Sequence, residues 1–522
     1  MGKGGTLPAW SLRKLNDRRF TAAPFVPSRT VLVSRTDDGR MCARVRGVET
    51  ATQTLHRLTS YESGRDETDP IDDDRVLQDL EVDDIKRLPW FFKRYTQQLP
   101  LVPLPRDLPA TTAPAVAVLA GTADITRSEL DLPALSRLLH LSAGVVRTME
   151  RPYGTYLFRA AGSAGGRFPL EVYLAVPDGL ALPAGVHWYH PGDHALVKVG
   201  PAPRGASAAL VVTGVPWRTG WRYRERGYRH VYWDAGTMLA QTLAVADSAG
   251  LTAQLHTRFP DTEVAALIGA DGVHEWPVAL IALGVDVPTL DPSGAVEVGE
   301  IDAAPVEFPL VTAAQRAGEC DTLGPPWDRG GPVDAAVQGN DPIEAVVLAR
   351  GSQRLMDPTR GLPESLLRTS LRAAVRGVDL PHRVVVHNVE GLAPGLYRYP
   401  DLSAPVRAGE MRDELYRVSL EQGLARDAAF VVIAATHVSA LDDHEYREAQ
   451  LAAGLVMGRL HLLAYGHGAS ASGMTFIDSE VSALLGESLD ALLFTCVGVP
   501  EYASAAGGSP GVPTSVRRVE PR

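Results

Sequence analysis

Two hydrophobic periodicities take turns along the chain. Residues 132–141 repeat apolar side chains at helical spacing, whereas 154–158 and 168–176 carry the apolar runs of strands. Downstream, Met238, Leu239, Leu243 and Ala246 mark one face of a long helix. Asp234 has the side chain of an N-cap and Gly250 that of a stop, so the pattern predicts a helix over 235–249. These elements place one α/β unit at 111–286 and a second at 341–502. Between them, 287–340 is rich in Pro and Gly and reads as a linker. The first 110 residues are polar, with many Pro and Asp, and read as an extension or cap that ends in a linker. Residues 503–522 are rich in Gly, Ser and Pro and read as a disordered tail.

The two α/β units echo each other in order and spacing. Gly185-Val-His-Trp-Tyr-His190 returns as Gly395-Leu-Tyr-Arg-Tyr399. The helix that stops at Gly250 returns over 448–466. Val264-Ala-Ala-Leu-Ile-Gly269 returns as Val481-Ser-Ala-Leu-Leu-Gly486, and the strand at 279–284 returns at 492–498. Duplication of one domain is the simplest reading.

Composition narrows the function. With 522 residues, 45% hydrophobic and 22% charged, the chain can bury several cores. A formal charge of -11 and the lack of a basic stripe argue against nucleic acid. No apolar run approaches the ~18 residues that span a bilayer, and no apolar signal core follows Met1. Cys42, Cys320 and Cys496 lie far apart and form no CxxC pair, so the expected setting is the cytoplasm, with no membrane partner. The Asp-rich run at 69–74 lacks the central Gly and terminal Glu of a calcium loop. On a strand, residues three apart such as His187 and His190 face opposite sides, so the histidines at 187, 190 and 194 do not suggest a metal site and no metal is expected.

Candidate chemistry gathers in three places. Arg159-Ala-Ala-Gly-Ser-Ala-Gly-Gly-Arg-Phe-Pro169 is a small-residue loop that lets backbone approach a flat ligand, with Ser163 able to hydrogen-bond. Arg350-Gly-Ser-Gln-Arg354 follows the apolar helical segment 343–349, and its two guanidiniums and Ser352 hydroxyl suit a phosphate. Gly468-Ala-Ser-Ala-Ser-Gly-Met474 is a second small-residue loop. In isolation, a hairpin loop, a solvated helix end and a helix-ending turn would each serve as well. No G-x-G-x-x-G follows a strand, so a Rossmann domain is not indicated.

The segments 162–173 and 222–236, with Arg350-Gly-Ser-Gln-Arg354 and Gly498-Val-Pro500, resemble the SagB-type thiazoline/oxazoline dehydrogenases of the nitroreductase superfamily. That resemblance runs over most of residues 50–502. It implies an α+β fold of two tandem nitroreductase-like domains, each a mixed or antiparallel sheet flanked by helices. Together they would form a pseudo-dimer within one chain, with an N-terminal extension. It also implies FMN between the domains. Arg350, Ser352 and Arg354 would hold its phosphate and ribityl chain. Ser163, Ala164, Gly165 and Arg167 would line its ring, with Ser472 and Gly473 presenting backbone close to flavin N5. Leu119-Ala-Gly-Thr122 and 376–381 stand where the mirrored pieces belong, so one complete site per chain is expected.

The family's Lys-Tyr pair corresponds to Arg222 and Tyr223 here, the candidate catalytic residues. An arginine cannot act as a general base, although it can stabilise an anion or orient a substrate. Tyr223 would need its pKa lowered by neighbouring arginines to move a proton. The resemblance implies oxidation of a peptide-derived substrate, azoline to azole, in natural-product biosynthesis alongside partner proteins. Two alternatives stand beside it: an NAD(P)H-dependent reductase of nitro, quinone or dehydroamino-acid groups, and a flavin-free peptide-binding or scaffold subunit. Fusion of two domains removes the need for a homodimer without forbidding one.

Overall fold

The computed structural model describes residues 49–520 apart from 66–68, 70, 96, 97, 289 and 336–338, together with the backbone at 34–35 and 41–42. Cys42 therefore falls outside the residues whose side chains are described.

The first half begins with helix α1 (Ala51–Leu58) and edge strand β1 (Leu101–Pro103), followed by helix α2 (Leu132–Ala143) and the hairpin β2 (Val145–Arg151) and β3 (Gly154–Arg159). Its sheet is built from β4 (Leu170–Val176), β5 (Gly185–His190), β6 (Ala195–Gly200), β7 (Ala208–Gly214), β8 (Ala253–His256) and β9 (Trp276–Leu283). Helices α3 (Pro216–Tyr223), α4 (Gly227–Ser248) and α5 (Asp261–Ile268) lie between the later strands. After α6 (Pro309–Ala317) and α7 (Ile343–Ala349), the second half repeats the plan. Helix α8 (Glu364–Ala374) is followed by β10 (His382–Val386), β11 (Gly395–Tyr399), β12 (Arg407–Ala408) and β13 (Phe430–Thr436). Helix α9 (Asp443–Gly466), β14 (Ser470–Met474), α10 (Asp478–Leu485) and β15 (Asp490–Gly498) complete the sheet, and β16 (Thr514–Ser515) closes the chain.

The sheets bear out the duplication. The first runs β8-β9-β7-β4-β5-β6-β1 and the second β14-β15-β13-β10-β11-β12, so the corresponding strands stand in the same order. Every pairing within them is antiparallel. Even the bulge repeats, between Pro277 and Ala279 in one sheet and between Ala434 and Ala435 in the other.

β4 is buried along its whole length, because each face of its sheet meets a different core. Leu170, Val172 and Leu174 join the large central core, while Tyr173 and Ala175 join a smaller one closed by Val264, Leu267 and Ile268 of α5. The two long helices are buried almost all round and cross at glycines. A Cβ on Gly236 would come within 2.2 Å of the Leu451 carbonyl, and one on Gly454 within 2.4 Å of that of Trp233. Small residues at the crossing let the helix axes approach and join the halves into one body.

Several sequence expectations need correction. Helix α4 starts at Gly227, so Asp234 lies inside it and is no N-cap. The Pro/Gly-rich stretch 287–340 contains α6, whose Leu310, Val311 and Ala314 are buried. The tail expected to be disordered packs against the first half: β16 pairs parallel with β2, and Gly508 N donates to the Val146 carbonyl. From residue 49 onward the N-terminal extension is likewise built in. Thr52 donates twice to Asp443, and Arg229 donates to the His56 carbonyl. Asp478 binds both Arg226 and Arg229, at 2.7 and 2.6 Å, and accepts the Tyr61 amide. Among the described residues, no helix is long and apolar enough to cross a membrane.

Candidate functional site

A cleft of about 1250 Å³ opens between the halves. Its first wall is the loop after β3. Gly165 takes a left-handed conformation there (φ 57°), and a Cβ on it would lie 2.5 Å from the Tyr223 hydroxyl, so only glycine fits. The loop is held from behind by Asp234. Ser163 Oγ bonds Asp234 Oδ2 at 2.5 Å, the Ala164 amide donates to Oδ1 at 2.9 Å, and the Phe168 amide donates to Ser163 Oγ at 2.7 Å. Asp234 is 2% exposed, and among the described residues no basic side chain forms an ion pair with it. Burial outweighs its two hydrogen bonds and pushes its carboxyl up to about 7.

The opposite wall comes from the second half. Helix α7 ends at Ala349, which puts Arg350 at its C-cap and turns the guanidinium towards the first half, where Nη2 donates to the Ala160 carbonyl at 2.7 Å. Nε and Nη1 of this buried side chain have no partner. Burial, and then the repulsion of Arg147, pull its pKa down to about 10. Among the described residues no carboxylate answers this pair of arginines: Arg147 donates to the carbonyls of Ala505 and Leu348. Ser352 and Arg354 stand more exposed on the same wall, and Tyr502, Ser504, Ser515 and Arg517 continue it. The floor includes Ser472, Gly473, Met457 and His461; a Cβ on Gly473 would strike the Met457 sulfur. A Cβ on Gly162 would meet Arg350 Nη1 at 3.2 Å and Ser352 Oγ at 3.8 Å, which shows how closely the two walls meet.

Of the residues singled out from sequence, Ser163, Ala164, Gly165, Arg222, Tyr223, Arg350, Ser352, Arg354, Ser472 and Gly473 all line this cleft. Arg167 does not. Its Nε donates to the Arg218 carbonyl and its guanidinium lies over Trp221, so it braces the loop from inside the protein. Gly498-Val-Pro500 also stays outside, with Pro500 bridged to Met356 and the Val499 carbonyl accepting the Asp357 amide. Arg222 does not stand as an unpaired charge, because its Nε donates to Asp83 Oδ1 at 2.8 Å. Nor is Tyr223 activated. Burial outweighs the pull of Arg222 and pushes the phenol up to about 12, while its ring stacks on His230 with centroids 4.1 Å apart. Sequence reading missed Asp234, Arg147 and His461. Asp234 alone stood out in the sequence, and there as an N-cap.

The mirrored position is filled. Gly121, from the stretch 119–122, faces Arg376 from the stretch 376–381, and a Cβ on it would lie 2.0 Å from Arg376 Nη1. The connection between the halves closes the rest, since Gly377 packs against the Asp328 carbonyl and Gly330 against Arg376.

Two like α+β halves, packed through paired long helices around a cleft to which both contribute, define a nitroreductase-like fold present twice. Comparison with known proteins agrees. Over 172 residues the chain is 28% identical to "Putative nitroreductase MJ1384" of Methanocaldococcus jannaschii, a match covering 30% of this chain and 82% of that protein. The crystal structure of a "putative nitroreductase" from Anabaena variabilis superposes with a TM-score of 0.67 at 21% identity, covering 87% of this chain and 100% of that one. Another, from Ralstonia eutropha, gives a TM-score of 0.29 at 22% identity, over 38% of this chain and 95% of that one. No family model matches the chain.

Proposed function

We propose that the chain is an FMN-dependent oxidoreductase with one flavin site, formed by the Ser163–Gly165 loop of its first half and the Arg350–Arg354 segment of its second. The observation that carries this reading is Arg350, a buried guanidinium that among the described residues has two unpartnered nitrogens, an arginine beside it and no carboxylate to neutralise either. A buried cation left unpaired is costly, and a ligand phosphate supplies the missing charge and acceptors. Arg350 and Arg147 would hold the phosphate, with Ser352 and Arg354 beside them. Gly165, Gly166, Ser472 and Gly473 bring backbone to the cleft wall, against which a flat ring would lie. FMN would supply the hydride acceptor or donor.

The cleft exceeds the ~300–1,000 Å³ of ordinary ligand pockets and so leaves space for a substrate beside the flavin. The family resemblance points to a peptide-derived substrate, an azoline oxidised to an azole, and Tyr61, Val82 and Asp83 of the N-terminal extension line the part of the cleft it would enter. One observation favours the opposite direction, reduction of a nitro, quinone or dehydroamino-acid group by NAD(P)H. Arg222 is bound to Asp83 and the Tyr223 phenol is pushed up, so neither supplies the base that proton abstraction needs. Purified protein should absorb at flavin wavelengths. Colourless protein that FMN cannot restore would leave only a binding or scaffold role. Rapid anaerobic bleaching by NADPH would select the reductase, and bleaching only by an azoline peptide the dehydrogenase.

A further inference from the structure

We propose that Asp234 and Ser163 form a two-state proton relay that decides whether the loop presents a hydrogen-bond donor or an acceptor to the cleft. A serine hydroxyl has one hydrogen and two acceptor positions. Here the Phe168 amide occupies one acceptor position permanently, at 2.7 Å. With Asp234 ionised, the Ser163 hydrogen goes to Asp234 Oδ2, and one lone pair of this cleft-lining serine is left open. A proton arriving at Ser163 Oγ from the cleft displaces that hydrogen onto Asp234. Asp234 then donates back to Oγ, and the retained hydroxyl hydrogen points outward. One proton enters and one carboxylate is neutralised. The Ala164 amide still has Oδ1 to donate to, so the loop keeps its anchor in both states.

The surroundings suit a group that changes charge near neutrality. Asp234 is buried, and burial pushes its carboxyl up to about 7. The titratable groups facing it are Tyr223 from α3, Arg159 across a small cavity and His230 on its own helix; Arg350 and His461 lie beyond Gly162 on the second half. Tyr223 stays protonated, and Arg159 is held by Glu171 and the Leu170 carbonyl. His230 and His461 are held neutral by burial. Asp234 is therefore the group in this set poised to titrate.

The structural half of the proposal can be tested without flavin. Infrared difference spectra of wild type against Asp234→Asn should show a protonated carboxyl band that fades as pH rises through neutrality. Ser163→Ala should move that transition to higher pH, because it removes a donor that favours the carboxylate. A carboxyl ionised throughout pH ~5–9, or a transition indifferent to Ser163→Ala, would overturn the relay.

The functional half rests on the FMN reading. Asparagine at 234 would donate to Ser163 Oγ at every pH and lock the donor state, which suits the acceptor-rich edge of an oxidised flavin. Asp234→Asn and wild type should bind oxidised FMN equally at pH 6. At pH 8 the variant should bind about 2- to 10-fold more tightly, the worth of one neutral hydrogen bond. The phosphate's own titration is common to both proteins and cancels. An unchanging ratio across this range refutes the functional half. If neither protein binds FMN, the flavin reading fails while the infrared result still stands or falls by itself.

Discussion

Replacing Arg350 by methionine separates binding from stability. In the protein without ligand, the charged form of Arg350 is disfavoured by a pKa drawn down from 12.5 to about 10, worth about 3 kcal/mol at 1.36 kcal/mol per unit. Methionine keeps much of the volume and removes the charge. It gives up the bond to the Ala160 carbonyl, worth about 1 kcal/mol. The apoprotein of Arg350→Met should therefore be more stable by about 2 kcal/mol, within the range seen when buried charges give way to apolar groups. Unfolding entropy scales with chain length, so at about 1 °C per kcal/mol for a chain of this size its Tm should rise by about 2 °C. FMN affinity should fall about 10- to 150-fold, the loss of a hydrogen bond to a charged group at 1.5–3 kcal/mol. Thermal melts with and without FMN read both effects, since saturating ligand raises stability by RT ln(1 + [L]/Kd). A variant whose apoprotein melts lower, and which keeps the wild-type shift with FMN, would refute the assignment of Arg350 to an anion.

Other expectations follow from single contacts. Titration with FMN should saturate at one equivalent per chain, because Arg376 and the connecting segment fill the mirrored position; a second equivalent at similar affinity would contradict this. Asp478→Asn should lower stability by about 3–5 kcal/mol, read as a fall in Tm, since it leaves Arg226 and Arg229 buried without their shared partner. His140, His187, His194, His382 and His387 are held to about 4 and His461 to about 3, mainly by burial. These folded-state values lie below the ordinary 6.5. Stability is thus fully present above pH ~6.5 and is lost as pH falls towards 4, at about 3 kcal/mol per histidine over that span; denaturant melts at stepped pH would show it. Tyr223→Phe should leave the basic limb of any rate profile in place, because the phenol stays protonated below pH ~10; a limb that disappears in the variant would restore Tyr223 as a titrating group.

Local pattern carried the reading a long way. Strands read at 154–158 and 168–176, a long helix stopping near Gly250, and the repeat of strand, long helix and strand were all legible. They follow from periodicity and from glycine stops that depend on near neighbours in the chain. The loop at 162–166 and the arginines at 350–354 were also visible as residue types suited to a flat anionic ligand. Arg167 was misplaced, because whether an arginine beside such a loop faces ligand or core is settled by Trp221, more than fifty residues away. The tail at 503–520 was misread for the same reason: its Gly/Ser/Pro composition hides a pairing with β2 that only the folded first half offers.

The amino-acid order alone determined that two like units exist, since repetition is a matter of residue type and spacing. Tertiary structure decided which groups remain unsatisfied. Among the described residues Arg350 lacks a counter-charge, Arg222 has one in Asp83, and Asp234 anchors Ser163, because packing brought together residues between 71 and 358 positions apart. Charge and hydrogen-bond balance belong to the assembled interior, where burial removes water as a partner and each polar group must find another.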